Sequence, residues 1–311
     1  MSVDIGVHRS VENACPPAAV ASAVAEGEAV GDVVVGDAET VTAADAVVTF
    51  AYDPALLEGA ATWIHSVQAG VDRFPFADLR EAEVALTSSS GIHGDAVGET
   101  VLGYALSFAR RLHRHRDDQR ERTWEWPAYG DAFTLAGEQL CVIGLGSLGE
   151  GVARRADALG MEVVGVRRTP TRVEHVETVF TPDRLQTAVA DARFVAVTVP
   201  LTPATEGLVD ADALGAMPDS AYLLDVSRGG VVDEAALRSA LAADGLAGVA
   251  RDVYDAEPLP ESSPFWDRED CIVTPHAAAA VDDYHERVAR IVRENAQRLL
   301  AGESLANAVV E

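Results

Sequence analysis

Apolar and polar positions alternate in the first third of the chain in a pattern that predicts a small α/β unit. Four short apolar runs are typical of buried strands, and they are Val33–Val35, Ala46–Ala51, Thr62–Val67 and Val84–Leu86. Helix-like stretches lie among them at Ala18–Glu28 and Pro54–Glu58. This alternation favours a parallel sheet with helices on its faces.

A longer series of the same kind follows a helical stretch at Gly94–Arg111. Its predicted strands are Leu140–Ile143, Met161–Val166, Phe194–Val199, Ala221–Val226, Leu246–Val253 and Cys271–Val273. Its predicted helices are Ser147–Leu159, Arg184–Ala190, a helix that Asp233 caps and that runs to Ala243, and Asp282–Ala301. Ligands of such sheets bind outside the carboxyl ends of the strands, so we expect Arg228, Asp252 and His276 to converge there.

The turn after the strand Leu140–Ile143 carries the clearest evidence of a binding site. Gly144, Gly146 and Gly149 form the pattern G-x-G-x-x-G between a strand and a helix. In dinucleotide-binding units the first glycine allows the tight turn, the second lets the backbone approach a pyrophosphate, and the third lets the helix pack closely. The helix N-terminus would direct its free N–H groups at the phosphates. The pattern therefore predicts a dinucleotide site.

The end of the next strand indicates which dinucleotide binds. Units that bind NAD usually place an acidic residue there, on the ribose hydroxyls. This chain instead has Arg167 and Arg168, followed by Thr169. An arginine fork suits a 2′-phosphate, which a carboxylate would repel. The sequence favours NADP over NAD, and the alternative is that both arginines are solvated and the ribose is held otherwise.

Length and composition narrow the class of protein. With 311 residues, of which 48% are hydrophobic, the chain is long enough for two globular domains. It has no apolar run of membrane-spanning length and no signal-peptide pattern, so we expect a cytoplasmic protein. Cys15, Cys141 and Cys271 form no metal or redox motif, and no metal site is expected.

The charge balance is strongly acidic. The chain has 50 acidic and 24 basic residues, a net charge of −26, and all the basic residues are arginine. Self-repulsion of this size is tolerable where salt screens it, because the Debye length is about 3 Å at 1 M. We therefore hypothesise a halophilic source, with an acidic mesophile or a GC-rich genome as the alternative. A melting temperature that does not rise in molar KCl would contradict the hypothesis. The acidity also argues against binding to nucleic acid.

One basic segment interrupts this acidic background. Arg110–Arg122 contains six arginines and two histidines, but acidic residues interleave with them, and such runs are usually solvated. We interpret the segment as a solvated face. Trp124 and Trp126 follow and are interpreted as packing or subunit-interface residues.

Three residues downstream of the glycine-rich turn fit a nicotinamide enzyme that acts on a 2-oxo acid. Arg228 can hold the carboxylate and polarise the carbonyl through its fork. His276 can donate the proton as hydride arrives. Glu257 can pair with the imidazole and favour its protonated form. The order of the three residues after a dinucleotide fingerprint favours this chemistry.

At these residues the chain resembles the D-isomer-specific 2-hydroxyacid dehydrogenase family, and particularly its glyoxylate/hydroxypyruvate reductases. The resemblance covers nearly the whole chain. The matching stretches are QAGVD (68–72), SSSGIHGDAVGET (88–100), GLGSLG (144–149), VPLTPATEGLVD (199–210), VSRGGVVDEAAL (226–237), DVYDAEPLP (252–260) and TPHAAA (274–279).

The resemblance implies a Rossmann-type doubly wound parallel sheet inserted into a smaller, flavodoxin-like α/β domain. The substrate domain would comprise residues 1–99 and 284–311, and the dinucleotide-binding domain residues 100–283. Such proteins are usually homodimers paired through their cofactor domains. The resemblance also implies that Arg228 binds substrate, that Glu257 tunes His276, and that His276 is the general acid/base.

The resemblance assigns further site residues as well. The backbone at Ala69 and Gly70 would hold the substrate carboxylate, and Asp252 would contact the nicotinamide end of the cofactor. The other positions that the resemblance places near the cofactor are Ser147, Leu148, Val199, Pro200, Thr205, Val226, His276 and Ala278.

The chain departs from the family pattern at a few positions, none of which removes a catalytic group. Arg251 replaces a small or apolar residue, Asp225 a common Asn, and Val281 a common Thr. The activity expected is NADPH-dependent reduction of 2-oxo acids to D-2-hydroxy acids, with NAD as a weaker cofactor. The alternatives are a dedicated glyoxylate/hydroxypyruvate reductase, an enzyme of the same fold that oxidises formate or phosphite, and a nucleotide-sensing regulator.

Overall fold

The computed structural model describes residues 2–311 and divides the chain into two compact units. The first runs up to Ile92 and includes Ala280–Glu311, and the second is His93–Ala279. The boundaries expected from the sequence stood at residues 99/100 and 283/284. Which unit binds substrate and which binds cofactor remains a prediction at this point.

Strands and helices alternate through most of residues 2–311. The strands are β1 (Val3–His8), β2 (Val30–Gly36), β3 (Ala46–Thr49), β4 (Trp63–Ser66), β5 (Ala85–Ser88), β6 (Gln139–Ile143), β7 (Glu162–Val166), β8 (Thr178–Phe180), β9 (Phe194–Val197), β10 (Tyr222–Asp225), β11 (Gly248–Arg251), β12 (Cys271–Val273) and β13 (Ala308–Val310). The α-helices are α1 (Pro17–Ala25), α2 (Ala38–Val41), α3 (Phe76–Glu81), α4 (Gly94–Ala109), α5 (Leu112–Glu121), α6 (Ser147–Ala158), α7 (Leu185–Val189), α8 (Ala211–Ala216), α9 (Glu234–Ala242) and α10 (Tyr284–Ala301).

The first unit contains one six-stranded sheet in the order β13-β5-β4-β3-β1-β2. Strands β1 to β5 are parallel and have the flavodoxin-like order 2-1-3-4-5, and β13 adds an antiparallel edge. The sequence analysis placed no strand at Val3–His8 or Ala308–Val310. The helix predicted at Pro54–Glu58 is a short 3₁₀ turn, Pro54–Leu57. Asp53 caps this segment, which is too short to continue as an α-helix.

The second unit contains a seven-stranded parallel sheet in the order β12-β11-β10-β9-β6-β7-β8. The chain leaves β6 towards β7 on one side and later returns to β9 on the other, which makes the sheet doubly wound. Side chains alternate across it: Cys141 and Ile143 join one hydrophobic cluster, and Leu140 and Val142 join the other. The predicted Rossmann-type α/β fold is confirmed, and helices cover both faces of a buried parallel sheet.

The basic segment and the tryptophans after it are exposed. Helix α5 has no buried residue, as the solvated interpretation predicts. Trp124 and Trp126 are 100% and 93% exposed, so the prediction that they pack within the chain is wrong. Helix α5 offers them no apolar face, because its own residues are mostly charged. Their interpretation as subunit-interface residues remains a prediction.

Residues 2–311 contain no helix suited to cross a membrane and no cluster of side chains suited to bind a metal ion. None of the helices there is both long and apolar enough to cross a membrane. No group of three or more His, Cys, Asp or Glu side chains in the same residues is arranged to hold a metal ion.

Candidate active site

The three glycines of the turn between β6 and α6 occupy positions with different steric requirements. Gly144 has φ +102°, and a Cβ there would lie 2.6 Å from Val199 Cγ1. A Cβ at Gly149 would lie 1.9 Å from the carbonyl oxygen of Gly144. At Gly146 a Cβ would have no atom within 4 Å, so its backbone faces open space. The turn therefore packs tightly on its inner side and leaves its outer side free for a pyrophosphate.

The fit of a dinucleotide to this turn is good. Helix α6 begins at Ser147 and Leu148, and the N–H groups of a first helical turn have no partner within the helix. The Thr198 hydroxyl donates to the Gly144 carbonyl at 2.6 Å and fixes the turn from the end of β9. The negatively charged pyrophosphate of a dinucleotide would suit the partial positive charge at the N-terminus of this helix.

The other predicted cofactor residues lie at the carboxyl ends of neighbouring strands. Val199 and Pro200 follow β9, and Pro200 is held by the Thr205 hydroxyl, which donates to its carbonyl oxygen at 2.5 Å. Val226 follows β10 and is buried, as is Ala278 beyond β12. These positions lie on loops at one edge of the seven-stranded sheet, because all of its strands are parallel.

Arg167 and Arg168 follow β7 at the same edge. Arg167 is partly buried and is anchored through its backbone N–H, which donates to the Phe180 carbonyl at 3.0 Å. Arg168 and Thr169 are exposed. Within residues 2–311 no carboxylate lies within 4.0 Å of either guanidinium. In a chain with twice as many acidic as basic residues, both cations thus remain available to an anionic ligand.

Glu257 and His276 form a direct pair. His276 Nδ1 lies 2.9 Å from Glu257 Oε2, and Glu257 Oε1 accepts a hydrogen bond from the Tyr254 backbone N–H at 3.1 Å. The carboxylate is therefore held at both oxygens, and it orients the ring through Nδ1. Nε2 has no partner among the described residues, so it is the ring nitrogen that can meet a ligand. The His276 side chain is 38% exposed.

Asp252 holds the loop that carries His276. Its Oδ1 accepts hydrogen bonds from Thr274 Oγ1 at 2.7 Å and from the Ala277 N–H at 2.9 Å, and its Oδ2 accepts one from the Ala278 N–H at 2.8 Å. The Asp252 carbonyl also accepts from the His276 N–H. These bonds support a left-handed backbone at His276, where φ is +54°, a conformation that costs a non-glycine residue about 1–2 kcal/mol.

Arg228 stands on the loop after β10, next to the loop that carries Glu257. The two loops touch: a Cβ at Gly229 would lie 2.2 Å from the Tyr254 carbonyl, and the Gly230 N–H donates to Asp255 Oδ1 at 2.9 Å. Arg228 Nη1 donates to the carbonyl of Ser227 at 2.7 Å. Arg228 has no carboxylate partner within 4.0 Å among residues 2–311, so its charge is free to bind an anion.

Sequence reasoning missed the residues that hold these groups in place. Tyr254, Thr274 and Ser227 all contribute hydrogen bonds to the loops of the site. All three lie within stretches that match the family, but a hydrogen-bond partner several residues away leaves no periodic pattern in the sequence.

Ala69 and Gly70 lie in the first unit, on the loop after β4. Their backbone N–H groups donate to none of the described residues, so this loop presents two free donors, as a carboxylate-binding loop requires. Ser66 and Ser89 support the loop from beneath: Gln68 N–H donates to the Ser66 hydroxyl at 3.2 Å, and the Ser89 N–H donates to the Gln68 carbonyl at 3.0 Å.

A buried histidine underlies this loop. His65 is fully buried, with Nδ1 2.8 Å from Thr87 Oγ1 and Nε2 3.0 Å from Ser89 Oγ. Burial lowers the pKa of His65 from 6.5 to about 3, because nothing nearby compensates a charge on the ring. His65 is therefore a neutral structural residue that fixes the ends of β4 and β5.

This low pKa predicts a pH dependence of folding. Below pH 6.5 the unfolded chain binds a proton at His65 and the folded chain does not. The free energy of unfolding is therefore unaffected by His65 above pH 6.5, and it decreases as the pH drops from 6.5 towards 3. The loss approaches about 1.4 kcal/mol per pH unit well below pH 6. Urea unfolding of wild type and of H65Q between pH 8 and pH 4.5 measures it. The difference in unfolding free energy between the two proteins should shrink towards acid pH, and a constant difference would contradict the prediction.

Comparison with known proteins identifies relatives in one family. The family model described as D-isomer specific 2-hydroxyacid dehydrogenase, NAD binding domain, matches residues 102–278. A glyoxylate reductase of Korarchaeum cryptofilum is 30% identical over 77% of this chain and 73% of its own length. An (S)-sulfolactate dehydrogenase of Chromohalobacter salexigens is 32% identical over 74% of this chain and 75% of its own length.

A solved structure extends the similarity to the whole chain. A D-isomer specific 2-hydroxyacid dehydrogenase of Xanthobacter autotrophicus Py2, in complex with NADPH and MES, is 30% identical. The alignment covers 99% of this chain and 98% of that chain, with a TM-score of 0.85. Together with the glycine-rich turn at a doubly wound sheet, these matches establish that the chain belongs to the D-isomer specific 2-hydroxyacid dehydrogenase family and is an NAD(P)-dependent oxidoreductase.

Proposed function

We propose that this protein reduces a small 2-oxo acid to the D-2-hydroxy acid with NADPH. The observation that carries the proposal is the contact of 2.9 Å between His276 Nδ1 and Glu257 Oε2, on a loop beside the unpaired Arg228. Reduction of a 2-oxo acid requires an acid that protonates the carbonyl oxygen and a cation that binds the neighbouring carboxylate. An oriented His276 next to a free Arg228 guanidinium provides both groups.

Each side chain has a distinct part in this reaction. Arg228 binds the carboxylate and carbonyl oxygens of the substrate through its two-pronged fork and polarises the carbonyl. His276 donates the proton on Nε2 to the carbonyl oxygen as negative charge develops there. Glu257 holds the imidazolium in place through Nδ1 and stabilises its charge. A bound nicotinamide supplies the hydride. The free N–H groups of Ala69 and Gly70 are proposed to hold the substrate carboxylate.

The preference for NADPH rests on the end of β7. Arg167 and Arg168 stand where NAD-specific units place a carboxylate, and both are free of ion pairs in residues 2–311. Guanidinium groups bind phosphate in bidentate fashion, so a 2′-phosphate gains two charge-assisted contacts there that a 2′-hydroxyl does not. NAD lacks that phosphate and is expected to bind more weakly. The Xanthobacter autotrophicus relative, whose structure contains NADPH, supports the assignment.

Arg167→Asp is expected to reverse the cofactor preference. The new carboxylate repels a 2′-phosphate and accepts hydrogen bonds from ribose hydroxyls, so the ratio of kcat/KM for NADPH to that for NADH should fall by about 10²-fold, the equivalent of losing about 3 kcal/mol of charge-assisted contact. Initial rates with both cofactors measure the ratio. Arg290→Asp, an equal charge change at an exposed position of α10, is the control and should leave it unaltered. An unchanged ratio in Arg167→Asp would refute this account of the two arginines.

The reaction itself is tested by initial rates of NADPH and NADH oxidation in molar KCl with glyoxylate, hydroxypyruvate, pyruvate and branched 2-oxo acids. The Korarchaeum relative is named a glyoxylate reductase, so glyoxylate and hydroxypyruvate are the substrates expected first. Chiral analysis of a product from a larger 2-oxo acid should give the D isomer. Folded protein that turns over none of these acids would refute the proposal and favour a nucleotide-sensing regulator or another oxidised substrate.

A further inference from the structure

An arginine and an aspartate are buried behind the site, at two of the positions where the chain departs from the family pattern. Arg251 is 1% exposed and Asp225 is completely buried. They are register partners at the ends of the parallel strands β11 and β10, with Arg251 Nε 3.6 Å from Asp225 Oδ2. Burial raises the pKa of Asp225, and Arg251 acts in the opposite direction. The two departures therefore form one charge pair.

The surroundings fix Arg251 in a single place. Its Nη1 donates to Glu234 Oε2 at 3.0 Å, and its guanidinium carbon lies 5.0 Å and 5.3 Å from the ring centres of Tyr254 and Phe265. Its Nε and Nη2 form no hydrogen bond with any described residue. Asp225 Oδ2 likewise accepts none, so the pair is held mainly by charge and by ring contacts.

Asp225 connects this pair to the substrate arginine. Its Oδ1 accepts hydrogen bonds from the Ser227 hydroxyl at 2.5 Å and from the Ser227 N–H at 3.2 Å. Ser227 in turn accepts at its carbonyl from Arg228 Nη1 at 2.7 Å. The carboxylate thus sets the turn from which the Arg228 side chain extends.

Arg251 connects the pair to the His276 side of the site. Its carbonyl accepts hydrogen bonds from the Tyr254 hydroxyl at 2.7 Å and from the Thr274 N–H at 3.0 Å. Tyr254 donates its N–H to Glu257, and Thr274 donates its hydroxyl to Asp252. The Arg228 side and the His276 side of the site are therefore both linked to Arg251, the last residue of β11.

We propose that Arg251 and Asp225 are positioning residues, which together set the Ser227–Arg228 turn so that Arg228 meets the substrate. The inference rests on the proposed role of Arg228. A buried ion pair is expensive, and apolar residues of similar size commonly serve stability equally well. A pair retained at that cost, and bonded directly to the turn of the substrate arginine, acts on the geometry of the site.

The pair also explains why the two departures occur together. An Asn at 225 has only one acceptor oxygen. If that oxygen accepts from Ser227, the amide NH2 faces the Arg251 guanidinium, and both groups are donors. If the amide turns over, its NH2 faces the Ser227 N–H instead. Asn at 225 is thus compatible with an apolar residue at 251, and Asp with arginine.

The test is a cycle of D225N, R251L and the double variant D225N/R251L. Each single change leaves a mismatched buried group and should displace Arg228, lowering kcat/KM for the 2-oxo acid by about 10- to 100-fold through both KM and kcat. KM for NADPH should change less than kcat/KM for the 2-oxo acid, since the glycine-rich turn and the β7 arginines lie on other strands. The double variant should regain most of the lost kcat/KM. The affinity of the NADPH complex for oxalate, measured by titration calorimetry without turnover, should fall in each single variant and recover in the double variant.

Two controls separate positioning from stability. Rates are measured well below the melting temperature of each variant, where the protein is folded. The matched pair R268L and D270N breaks a partly exposed ion pair on the same unit, with 2.6 Å between Arg268 Nη2 and Asp270 Oδ2, and should leave kcat/KM unaltered.

The outcomes are distinct for the inference and for the proposed function. Single variants with wild-type kcat/KM and oxalate affinity, or a double variant no better than the worse single variant, would overturn the inference. Wild-type protein that binds oxalate but turns over no 2-oxo acid would instead refute the proposed function. Variants that differ from wild type only in melting temperature would show the pair to be merely structural and would also overturn the inference.

Discussion

Replacing His276 with alanine should lower kcat for 2-oxo acid reduction by about 10³-fold, the middle of the range for a positioned general acid. The Nε2 atom of the imidazole has no partner among the described residues and is proposed to carry the proton, so water would have to protonate the carbonyl oxygen in its absence. The affinity for NADPH should change little, because the glycine-rich turn and the β7 arginines are untouched. Stopped-flow rates and fluorescence titration of NADPH measure the two quantities.

A graded variant and a control sharpen this prediction. Glu257→Gln keeps an acceptor for Nδ1 but removes the negative charge, so kcat should fall less than in H276A. His115→Ala removes a histidine from the exposed helix α5 and should leave kcat at its wild-type value. If H276A retained kcat within about tenfold of wild type, His276 would not be the proton donor.

Replacing Arg228 with alanine should impair binding and chemistry together. Two charge-assisted hydrogen bonds are worth about 3–4 kcal/mol, so kcat/KM for the 2-oxo acid should fall by roughly 10²–10³-fold, with KM raised and kcat lowered. Both parameters change because the same guanidinium binds the ground-state carboxylate and stabilises the charge that develops on the carbonyl oxygen. Steady-state kinetics at saturating NADPH measure the effect.

Arg228→Lys separates charge from geometry. Lysine keeps the positive charge and loses the planar fork, so it should recover part of the binding and little of kcat. Arg116→Ala, on the exposed surface of α5, is the control for loss of an arginine and should behave as wild type. A change confined to KM in R228A would assign this residue to substrate binding alone.

The sequence was most informative where chain geometry is local. A turn that allows no Cβ at Gly144 and Gly149 must use glycine, and burial on both faces of a parallel sheet requires continuous apolar strands, so the turn and most strands of the second unit were predicted nearly in place. The order of Arg228, Glu257 and His276 was informative because each follows a different parallel strand. Strands without such a pattern, β1, β8 and β13, were not predicted.

Only the tertiary structure decided which of these groups meet. The contact of Glu257 with His276, the three hydrogen bonds that Asp252 receives from the His276 loop, and the exposure of Trp124 and Trp126 depend on distances between segments that are far apart in sequence. The sequence showed Arg251 and Asp225 as two unrelated departures. Strand register makes them partners, because a cross-strand neighbour is set by how β10 and β11 align, and no spacing along one chain records that alignment.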